Sequence, residues 1–479
     1  MKQIQWVNDI IDEKDINSWK KGDVITIKAG TGKGKSHFIK NDLCQYAKEH
    51  NKKILLMVHR LDCQEQFKMD IEGMEDTITI LTYQSIDKIY ENDGFFNFRN
   101  YEYIVCDEFH YFTSDASFNN TTDMSINAIL TQTSSIKIFM SATADLMQKY
   151  LNNHRKIATI DYEIEIDFDF IDQLYFYTDE STEEAIIEEV IGKGEKIIVF
   201  ANDLRRLERL YFEYKDYALF NCSENAREYM YVDENKITTM LKNSMFSEQV
   251  LLTTSVMDTG VSIKDKKVKH IICNNVIDIN VLIQSIGRKR IMNKNDKINI
   301  YVKDINNNVL GGYITQARTR VEKVLYLKKH GENTYIRKYK KIAEDKSIIY
   351  FDIENDQILA KINDMAYFKT LVDILELEIM LKNGYKDYVA RALGKQYKII
   401  EAIIEKDTLE KYLDGIVGKK LYREEQDKLI EIIDVKVNGR QQRSYNKLNE
   451  GLKMIELPYI ILPKKSNGNR YWVVDKIFI

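Results

Sequence analysis

The stretch of sequence that decides the fold is Ala29-Gly30-Thr31-Gly32-Lys33-Gly34-Lys35-Ser36, a glycine-rich loop that ends in a lysine and a serine. A β-rich run, Asp23 to Lys28, precedes the loop, and a helical pattern, Ser36 to Lys48, follows it. Glycines let backbone amides approach a phosphate, and the N-terminus of a helix adds the positive end of its dipole. This order predicts a P-loop, in which Lys35 contacts the β- and γ-phosphates of a nucleotide and Ser36 offers its hydroxyl to Mg²⁺.

Two consecutive carboxylates, Asp107 and Glu108, follow the buried-type run Tyr103 to Cys106. Ligands of parallel α/β sheets bind at the carboxyl ends of the strands, so the pair is expected beside the P-loop. Asp107 is then predicted to hold Mg²⁺ directly or through water, and Glu108 to orient and deprotonate the attacking water.

Ten β-rich runs alternate with helical stretches, which predicts two tandem α/β units, each with a parallel sheet covered by helices. The runs are Asp23 to Lys28, Lys53 to Val58, Thr77 to Thr82, Tyr103 to Cys106 and Ile136 to Met140 in the first unit, and Lys196 to Phe200, Tyr217 to Asn221, Gln249 to Thr253, Val268 to Cys273 and Lys297 to Val302 in the second. Asn152 to Asp169 is predicted to link the two units. We expect four domains: 1–160, 161–305, a helical accessory region with a hairpin at 306–384, and a basic C-terminal module at 385–479.

The composition indicates an ordinary folded protein, with 479 residues of which 44% are hydrophobic and 30% charged. No apolar run approaches the ~18 residues of a membrane span, and the N-terminus shows no signal-peptide pattern. Five scattered cysteines without a Cys-x-x-Cys pair indicate neither disulfides nor a zinc or iron–sulfur site. A cytoplasmic protein without a membrane partner is expected.

The C-terminal module combines positive charge with a recognisable order of elements. Val435 to Lys476 carries nine basic and three acidic residues, although the whole chain has a net charge of -4. Helical patterns at Glu424 to Ile433 and Arg440 to Met454, followed by two β-rich runs around an Asn-Gly turn, favour a winged helix over a small α+β cap without a ligand. The residues expected to contact nucleic acid are Arg440, Arg443 and Lys447 on one helical face, and Lys464, Lys465 and Arg470 on the wing.

Further blocks occur in an order that resembles the superfamily 2 helicases of the DExH-box type. The P-loop has that family's Ala-x-x-Gly-x-Gly-Lys-Ser form, and the carboxylates belong to Asp107-Glu108-Phe109-His110. The other blocks are Ser141-Ala142-Thr143, Val199-Phe200, Thr253 to Ile263 and Gln284 to Arg288, with weaker similarities at Arg60 and at Thr82 to Ser85. The resemblance covers roughly residues 20 to 305.

The resemblance implies two RecA-like P-loop NTPase domains with a nucleotide cleft between them. Lys35, Ser36, Asp107 and Glu108 would form the hydrolytic half-site, and Gln284 and Arg288 would complete it from the second domain. The family's second arginine is replaced by Ile291, so either Arg288 or Arg290 would serve as the arginine finger. The family also implies that His110 and Gln284, with Ser141 and Thr143, couple hydrolysis to motion. The remaining implied roles are nucleotide contact by Asp258 and Gly260, and nucleic-acid contact by Arg60, Thr82, Gln84 and Thr254.

We therefore expect an ATP-dependent helicase or translocase that uses ATP, or another NTP, with Mg²⁺. Nucleic acid is the expected partner, DNA being favoured over RNA, together with replication or loading proteins. Few prolines and many Lys, Ile, Asn and Tyr residues suggest an AT-rich bacterial, phage or plasmid genome, and hence replication of a mobile element or phage. Two alternatives stay open: a duplex translocase or remodeller without unwinding, in defence or restriction, and a nucleotide-switched DNA-binding regulator.

Overall fold

The computed structural model describes residues 5–59, 64, 67–68, 71, 73–92, 94–117, 119, 122–254, 262–293, 295–339, 348–354, 357–437, 440–466 and 468–477. The chain forms two compact units. The first comprises Met1–Leu174 and Glu184–Gln396, and the second comprises Tyr175–Glu183 and Tyr397–Ile479. In the described part of the chain, no helix has the length and hydropathy that a membrane crossing requires.

The first sheet consists of parallel strands, and it holds the predicted P-loop. Its strands are β1 (Val24–Ala29), β2 (Ile54–Val58), β3 (Ile78–Thr82), β4 (Tyr103–Asp107), β5 (Ile136–Ser141) and β6 (Ile160–Ile164). They lie in the order β3-β2-β4-β5-β1-β6. The strands β2, β4 and β5 are buried along their whole length, which is why their sequences read as continuous apolar runs.

The strand β6 corrects the prediction that residues 152–169 only link the two α/β units. It pairs in parallel with β1, with Ile25 opposite Ile160. Its pattern is mostly exposed, and Asp161 and Glu163 alternate with apolar residues, so the sequence lacks the apolar run that identified the other strands. An edge strand covered on one side only requires no such run.

The second sheet contains all five strands that were predicted for the second α/β unit. Six strands of this sheet are β7 (Ile171–Tyr177), β8 (Lys196–Ala201), β9 (Ala218–Asn221), β10 (Val250–Thr253), β11 (Val268–Asn274) and β12 (Ile298–Lys303), and they lie in the order β7-β12-β11-β8-β10-β9. The pairings among β8 to β12 are parallel. The prediction of two tandem parallel sheets in one α/β chain is confirmed.

Helices connect the strands of both sheets. Those around the first sheet are α1 (Val7–Ile10), α2 (Glu13–Ser18), α3 (Lys35–His37), α4 (Cys44–Glu49), α5 (Tyr83–Glu91), α6 (Tyr111–Ser114), α7 (Thr122–Leu130) and α8 (Asp145–Lys149), with π-helical turns at Phe38–Leu43 and Tyr150–His154. Those around the second are α9 (Glu180–Gly192), α10 (Leu204–Glu213), α11 (Glu234–Asn243) and α12 (Ile279–Gly287). The first sheet has a buried core on each face, because alternate residues of β2 such as Leu55 and Leu56 enter different clusters.

The accessory region packs onto one face of the first sheet, and it includes the helix Tyr385–Ala392, which belongs to the first unit and not to the C-terminal module in which it was predicted. Its elements are α13 (Asn307–His330), α14 (Glu332–Lys338), β13 (Ile349–Glu354), β14 (Gln357–Ile362), α15 (Asp364–Asn383) and α16 (Tyr385–Ala392). The strands β13 and β14 pair antiparallel, which confirms the hairpin predicted here. Val324, Met365 and Phe368 join a buried cluster with Phe112 and Tyr150 of the first domain. The accessory region is therefore part of that domain's core.

The second unit is a small helical module with a C-terminal hairpin. Its elements are β15 (Tyr397–Ile399), α17 (Ile400–Ile416), α18 (Arg423–Ile433), β16 (Lys436–Val437), β17 (Arg440–Gln441), α19 (Tyr445–Met454), β18 (Tyr459–Ser466) and β19 (Asn469–Lys476). Leu413, Leu429, Leu448 and Val474 contribute to its core. The order of helices and hairpin is the predicted one, and the assignment as a winged helix stays a prediction.

One helix of this module begins later than predicted. The side chain of Ser444 accepts a hydrogen bond from the amide of Lys447 and caps α19, so the helix starts at Tyr445. Arg440 lies in the short strand β17 and Arg443 precedes the cap. The prediction that Arg440, Arg443 and Lys447 share one helical face is therefore wrong.

Candidate nucleotide site

The glycine-rich loop connects β1 to α3, as the sequence predicts. Gly32 and Gly34 have φ angles of 77° and 86°, which residues other than glycine rarely adopt. Lys35 is 6% exposed, and its ammonium donates a hydrogen bond to the carbonyl of Ala29 at 2.8 Å. Ser36 follows in the first turn of the helix and is half-buried. Of the other loop residues, Gly30 is buried, Thr31 and Lys33 are half-buried, and the carbonyl of Lys33 accepts a hydrogen bond from the amide of Val7 at 3.0 Å.

The two carboxylates lie at the carboxyl end of β4. That strand and β1, which leads into the P-loop, are separated by β5. Tyr83 donates a hydrogen bond to the backbone carbonyl of Asp107 at 2.9 Å. Glu108 has a φ of 48°, a left-handed conformation that costs a non-glycine residue roughly 1 kcal/mol or more and is concentrated at functional sites. Among the described residues, the buried Oδ1 of Asp107 has no hydrogen-bond partner.

Burial and neighbouring charges separate the acidities of these carboxylates. Burial, assisted by the charge of Glu108, raises the pKa of Asp107 to about 7, and Lys35 opposes the shift. Burial also disfavours charge on Glu108, but Lys35, His110 and Arg288 outweigh it and lower the pKa of Glu108. The negative charge of the pair is therefore held most firmly on Glu108.

A series of polar contacts leads from Glu108 to the second sheet. His110 Nδ1 lies 3.3 Å from Glu108 Oε2 and 2.8 Å from Ser141 Oγ. Ser141 Oγ accepts a hydrogen bond from the amide of Thr143 at 3.0 Å, and Thr143 Oγ1 accepts one from Gln284 Nε2 at 2.8 Å. The structure thus brings together five residues that the sequence placed in the coupling and hydrolytic groups.

The helix α12 also meets the P-loop at its C-terminal end. Thr31 Oγ1 donates a hydrogen bond to the carbonyl of Gly287 at 3.3 Å, across 256 positions of sequence. Arg290 Nη1 lies 3.4 Å from the position that a Cβ on Gly32 would occupy, and its Nε donates to Ser262 Oγ at 2.8 Å. Arg288 is 5% exposed and close enough to Glu108 to lower its pKa. Both arginines therefore lie at the site, and the choice of finger between them stays a prediction.

The residues assigned to nucleic acid in the first two domains have structural contacts of their own. Thr82 caps α5 by accepting a hydrogen bond from the amide of Ser85 at 3.2 Å. Gln84 donates to the carbonyl of His59 at 3.0 Å, and Thr254 is 8% exposed. Their predicted nucleic-acid contacts stay predictions. Arg60, Asp258 and Gly260 lie outside the described residues, as does the side chain of Arg440.

Two cations of the C-terminal module have acidic neighbours. Arg443 Nη2 lies 3.6 Å from Asp427 Oδ1, and Lys447 Nζ lies 2.5 Å from Glu450 Oε2. Both pairs are largely exposed, so each contributes little to stability and leaves the cations accessible.

Sequence reasoning missed several contacts that hold the elements of this site in place. Thr31 was assigned only to the phosphate loop, and Tyr83 only to a weak motif. Asp278 caps α12 by accepting a hydrogen bond from the amide of Asn280 at 2.8 Å, and Lys369 forms an ion pair with it at 2.8 Å. An aspartate before an apolar helical pattern is a cap signal that reveals Asp278. No local pattern identifies Lys369, because its partner lies 91 positions away.

Tandem parallel sheets, a P-loop and carboxylates at the neighbouring strand end define a P-loop NTPase built from two RecA-like domains. The sequence of residues 39–150 matches the DEAD/DEAH box helicase family. This segment includes Asp107, Glu108 and Ser141 to Thr143, and it begins just after the P-loop. The resemblance to superfamily 2 helicases is thereby confirmed, and with it the prediction of an NTP-hydrolysing enzyme of the helicase type.

Comparison with solved structures returns helicases at low sequence identity. Saccharomyces cerevisiae Dbp5 L327V bound to RNA and ADP BeF3 is 14% identical, with a TM-score of 0.45 over 60% of this chain and 82% of that one. The DEAD-box helicase Mss116 bound to ssRNA and UDP-BeF is 18% identical, with a TM-score of 0.46 over 63% and 70%. The Escherichia coli DExH-box NTPase HrpB is 13% identical, with a TM-score of 0.41 over 58% and 39%. No curated protein matches the chain in sequence.

Proposed function

We propose that this helicase-type NTPase hydrolyses ATP in response to nucleic acid and uses the energy to translocate along DNA or to separate its strands. The observation that carries the proposal is the series of contacts from Glu108 through His110, Ser141 and Thr143 to Gln284. It joins the hydrolytic carboxylate to the helix α12 of the second α/β unit. A change in the position of one sheet relative to the other would alter these contacts, and this is the property that a motor requires.

The residues of the P-loop and of β4 suit ATP with Mg²⁺. Asp107 offers a buried carboxylate oxygen without a hydrogen-bond partner among the described residues, and Ser36 offers a hydroxyl in the first turn of the helix. These two residues would hold the ion, which when bound neutralises charge on the phosphates. Lys35 binds the β- and γ-phosphates. Glu108, held ionised by its neighbours, orients the attacking water by accepting a hydrogen bond from it.

An arginine from the far side of the site completes the proposed mechanism. Charge develops on the transferred phosphoryl group in the transition state, and a guanidinium placed there stabilises it. Arg290 approaches the backbone of Gly32, and burial lowers its pKa, although Glu108 opposes that shift. An arginine stays protonated even so. Arg288 lies on the same side, so both remain candidates for this role.

DNA is the proposed substrate, and the C-terminal module is proposed to be a winged helix that binds it. The exposed wing residues Lys464, Lys465 and Arg470 would contact phosphates, together with Arg443 and Lys447. Replication of a mobile element or phage is the proposed setting, and replication or loading proteins are the proposed partners.

ATP hydrolysis measured with single-stranded DNA, duplex DNA and RNA as stimulants tests this function. The Dbp5 and Mss116 structures contain RNA, so RNA is the necessary comparison. We expect DNA to give the larger stimulation, with a steep decrease at higher salt. The Lys35→Ala variant should lose stimulated hydrolysis with every nucleic acid, and its retention would contradict the mechanism. Stimulation by RNA alone would contradict the DNA assignment.

A paired displacement assay distinguishes unwinding from translocation without unwinding. A helicase displaces a strand from a partial duplex, whereas a duplex translocase displaces only the third strand of a triplex. We expect strand displacement that requires ATP. Triplex displacement without strand displacement would mean translocation along a duplex instead of unwinding. It would leave the description of the nucleotide site unchanged.

A further inference from the structure

The helix α12 carries Gln284 in its interior, ends at Gly287, and leads directly into Arg288 and Arg290. It begins at Ile279, just after the loop that follows β11. Its orientation therefore decides where the second-domain half of the nucleotide site lies relative to the P-loop.

The accessory region contacts the loop before α12 at two points. The hydroxyl of Tyr385, in α16, donates a hydrogen bond to the backbone carbonyl of Val276 at 2.6 Å. The ammonium of Lys369, in α15, lies 2.8 Å from Asp278 Oδ2. Asp278 is also the N-cap of α12, since its other oxygen accepts a hydrogen bond from the amide of Asn280. One carboxylate thus joins the accessory region to the first turn of the catalytic helix.

The N-terminal end of α15, one to two turns before Lys369, is fixed to the first domain. Asn363 is fully buried, caps α15, and donates hydrogen bonds to Thr122 Oγ1 at 3.1 Å and to the carbonyl of Asn119 at 3.3 Å. Asp364 Oδ2 lies 3.2 Å from the hydroxyl of Tyr150 and 2.9 Å from Nε2 of His154. Five residues along the same helix, Lys369 reaches the second domain. The first turns of α15 therefore span the distance between the domains.

Carboxylates surround the ammonium of Lys369 and favour its charged form. Its side chain is 16% exposed and contacts both Asp278 and Asp373. Burial alone would lower the pKa of Lys369, but the two carboxylates outweigh burial and raise it. Burial likewise opposes the charge of Asp278, and Lys369 with the backbone amides lowers its pKa. Both partners are ionised at neutral pH, and removing one of them leaves a poorly solvated charge on the other.

We propose that Lys369 is a positioning residue for ATP hydrolysis, which holds the start of α12 against the first domain so that the far end of the helix meets the P-loop. Tyr385 assists by fixing Val276. The inference rests on the proposed function, because it assigns to these residues the placement of the arginines that act on the phosphoryl group. Neither residue belongs to the P-loop or to the proposed hydrolytic group, so their loss should affect the rate of hydrolysis and leave ATP binding nearly unchanged.

The test compares Lys369→Met with Lys386→Met in the full chain. Lys386, in α16, forms an ion pair with Asp304 after β12, at 2.5 Å, and so also joins the accessory region to the second domain, but away from α12. We expect Lys369→Met to lower kcat for nucleic-acid-stimulated ATP hydrolysis at least tenfold with KM for ATP changed less than twofold. Lys386→Met should keep kcat within twofold of the parent. Equal losses in the two variants, or a parental kcat for Lys369→Met, would overturn the proposal.

One further variant keeps the test decisive if Lys369→Met is poorly folded, and a double variant extends the test if Lys369→Met folds. Tyr385→Phe retains the ring and removes only the hydrogen bond to Val276, and it should lower kcat at least threefold with an unchanged KM. Asp278→Asn retains an N-cap but not the ion pair, so combining it with Lys369→Met should cost little more than Lys369→Met alone. A parental kcat for Tyr385→Phe, or additive losses in the double variant, would refute the positioning role.

The parent protein separates this inference from the proposed function. If the parent shows no nucleic-acid-stimulated hydrolysis, or keeps it after Lys35→Ala, the proposed function fails. If the parent behaves as proposed and Lys369→Met is fully active, only the positioning role fails.

Discussion

Replacing Gly287 with alanine should separate the stability of α12 from the closure of the nucleotide site. Alanine favours a helix over glycine by up to about 1 kcal/mol, so the helix itself gains. The added Cβ, however, would lie 2.8 Å from Thr31 Oγ1 and 3.5 Å from its Cγ2. Rotation of Thr31 about χ1 can turn its Hβ toward the new methyl group, but it also takes Oγ1 away from the carbonyl of Gly287. The clash is therefore relieved by a rotation that breaks this hydrogen bond or by a movement of α12 away from the P-loop.

The expected loss of activity follows from these two changes. Both break the hydrogen bond from Thr31 Oγ1 to the carbonyl of Gly287, now 3.3 Å long, and one such bond is worth about 1 kcal/mol, or about fivefold. The movement of α12 also displaces Gln284, Arg288 and Arg290 together, and a misplacement of about 1 Å can cost about 100-fold in rate. We expect kcat for Gly287→Ala to fall between about 5- and 100-fold, with no decrease in the thermal midpoint.

A second substitution gives the matched control. In Thr31→Ala only the Cβ remains, and it lies 3.8 Å from the Cβ added at position 287, which is ordinary van der Waals contact. Thr31→Ala alone should lose about fivefold or less, and the double variant should be faster than Gly287→Ala. The assay is steady-state ATP hydrolysis at saturating ATP and single-stranded DNA, with thermal melts in parallel. A double variant as slow as Gly287→Ala, or a fully active Gly287→Ala, would refute the reasoning.

Three further changes test other parts of the structure. Burial raises the pKa of Asp87 to about 7, so the folded state disfavours the ionised carboxylate. As pH rises from about 4 to 8, the free energy of unfolding of Asp87→Asn, measured by urea titration, should therefore increase relative to that of the parent by up to about 4 kcal/mol. A difference that does not change with pH would contradict this. Gln284→Ala and Thr143→Ala each remove one partner of the same 2.8 Å hydrogen bond, so their effects on kcat should be non-additive by about 1 kcal/mol in a double-variant cycle. Leu448→Ala, in the core of the second unit, should cost about 2–5 kcal/mol in chemical denaturation, whereas Met454→Ala, at an 83% exposed position, should cost less than about 0.5 kcal/mol.

The strands could be predicted where burial on both faces gives the sequence a continuous apolar run. Strands such as β4 and β10 are covered on both faces, and their apolar runs identified them to within about two residues. The strand β6 was missed because its register against β1 exposes most of its side chains. The start of α19 was misplaced because Ser444, rather than the spacing of the cations, sets the helix boundary.

The nucleotide site was predictable only in its local part. The P-loop needs a strand, glycines and a helix in immediate succession, so its residues and its geometry can be read together. The pairing of Thr143 with Gln284, 141 positions apart, is not a local property. The same holds for Thr31 with Gly287, and for Lys369 with Asp278, which unite residues from three predicted domains. Contacts of this kind depend on how the domains pack, and no spacing within one element determines them.

These distant contacts share one element, and this gives them a common physical meaning. The helix α12 has nine residues and is about 13 Å long. It is held at its start by Lys369 through Asp278, in its interior by Thr143 through Gln284, and at its end by Thr31 through the carbonyl of Gly287. A short helix behaves as a rigid rod, because bending it breaks its own hydrogen bonds. Gln284 and Gly287 lie within one turn of each other, so the contacts at these two residues alone hold the tilt of the helix weakly, whereas the contact at Asp278, at the other end, holds it firmly. Releasing the start of α12 should therefore tilt the arginines at its end, and this is why an ion pair outside the nucleotide site is expected to influence the rate of hydrolysis.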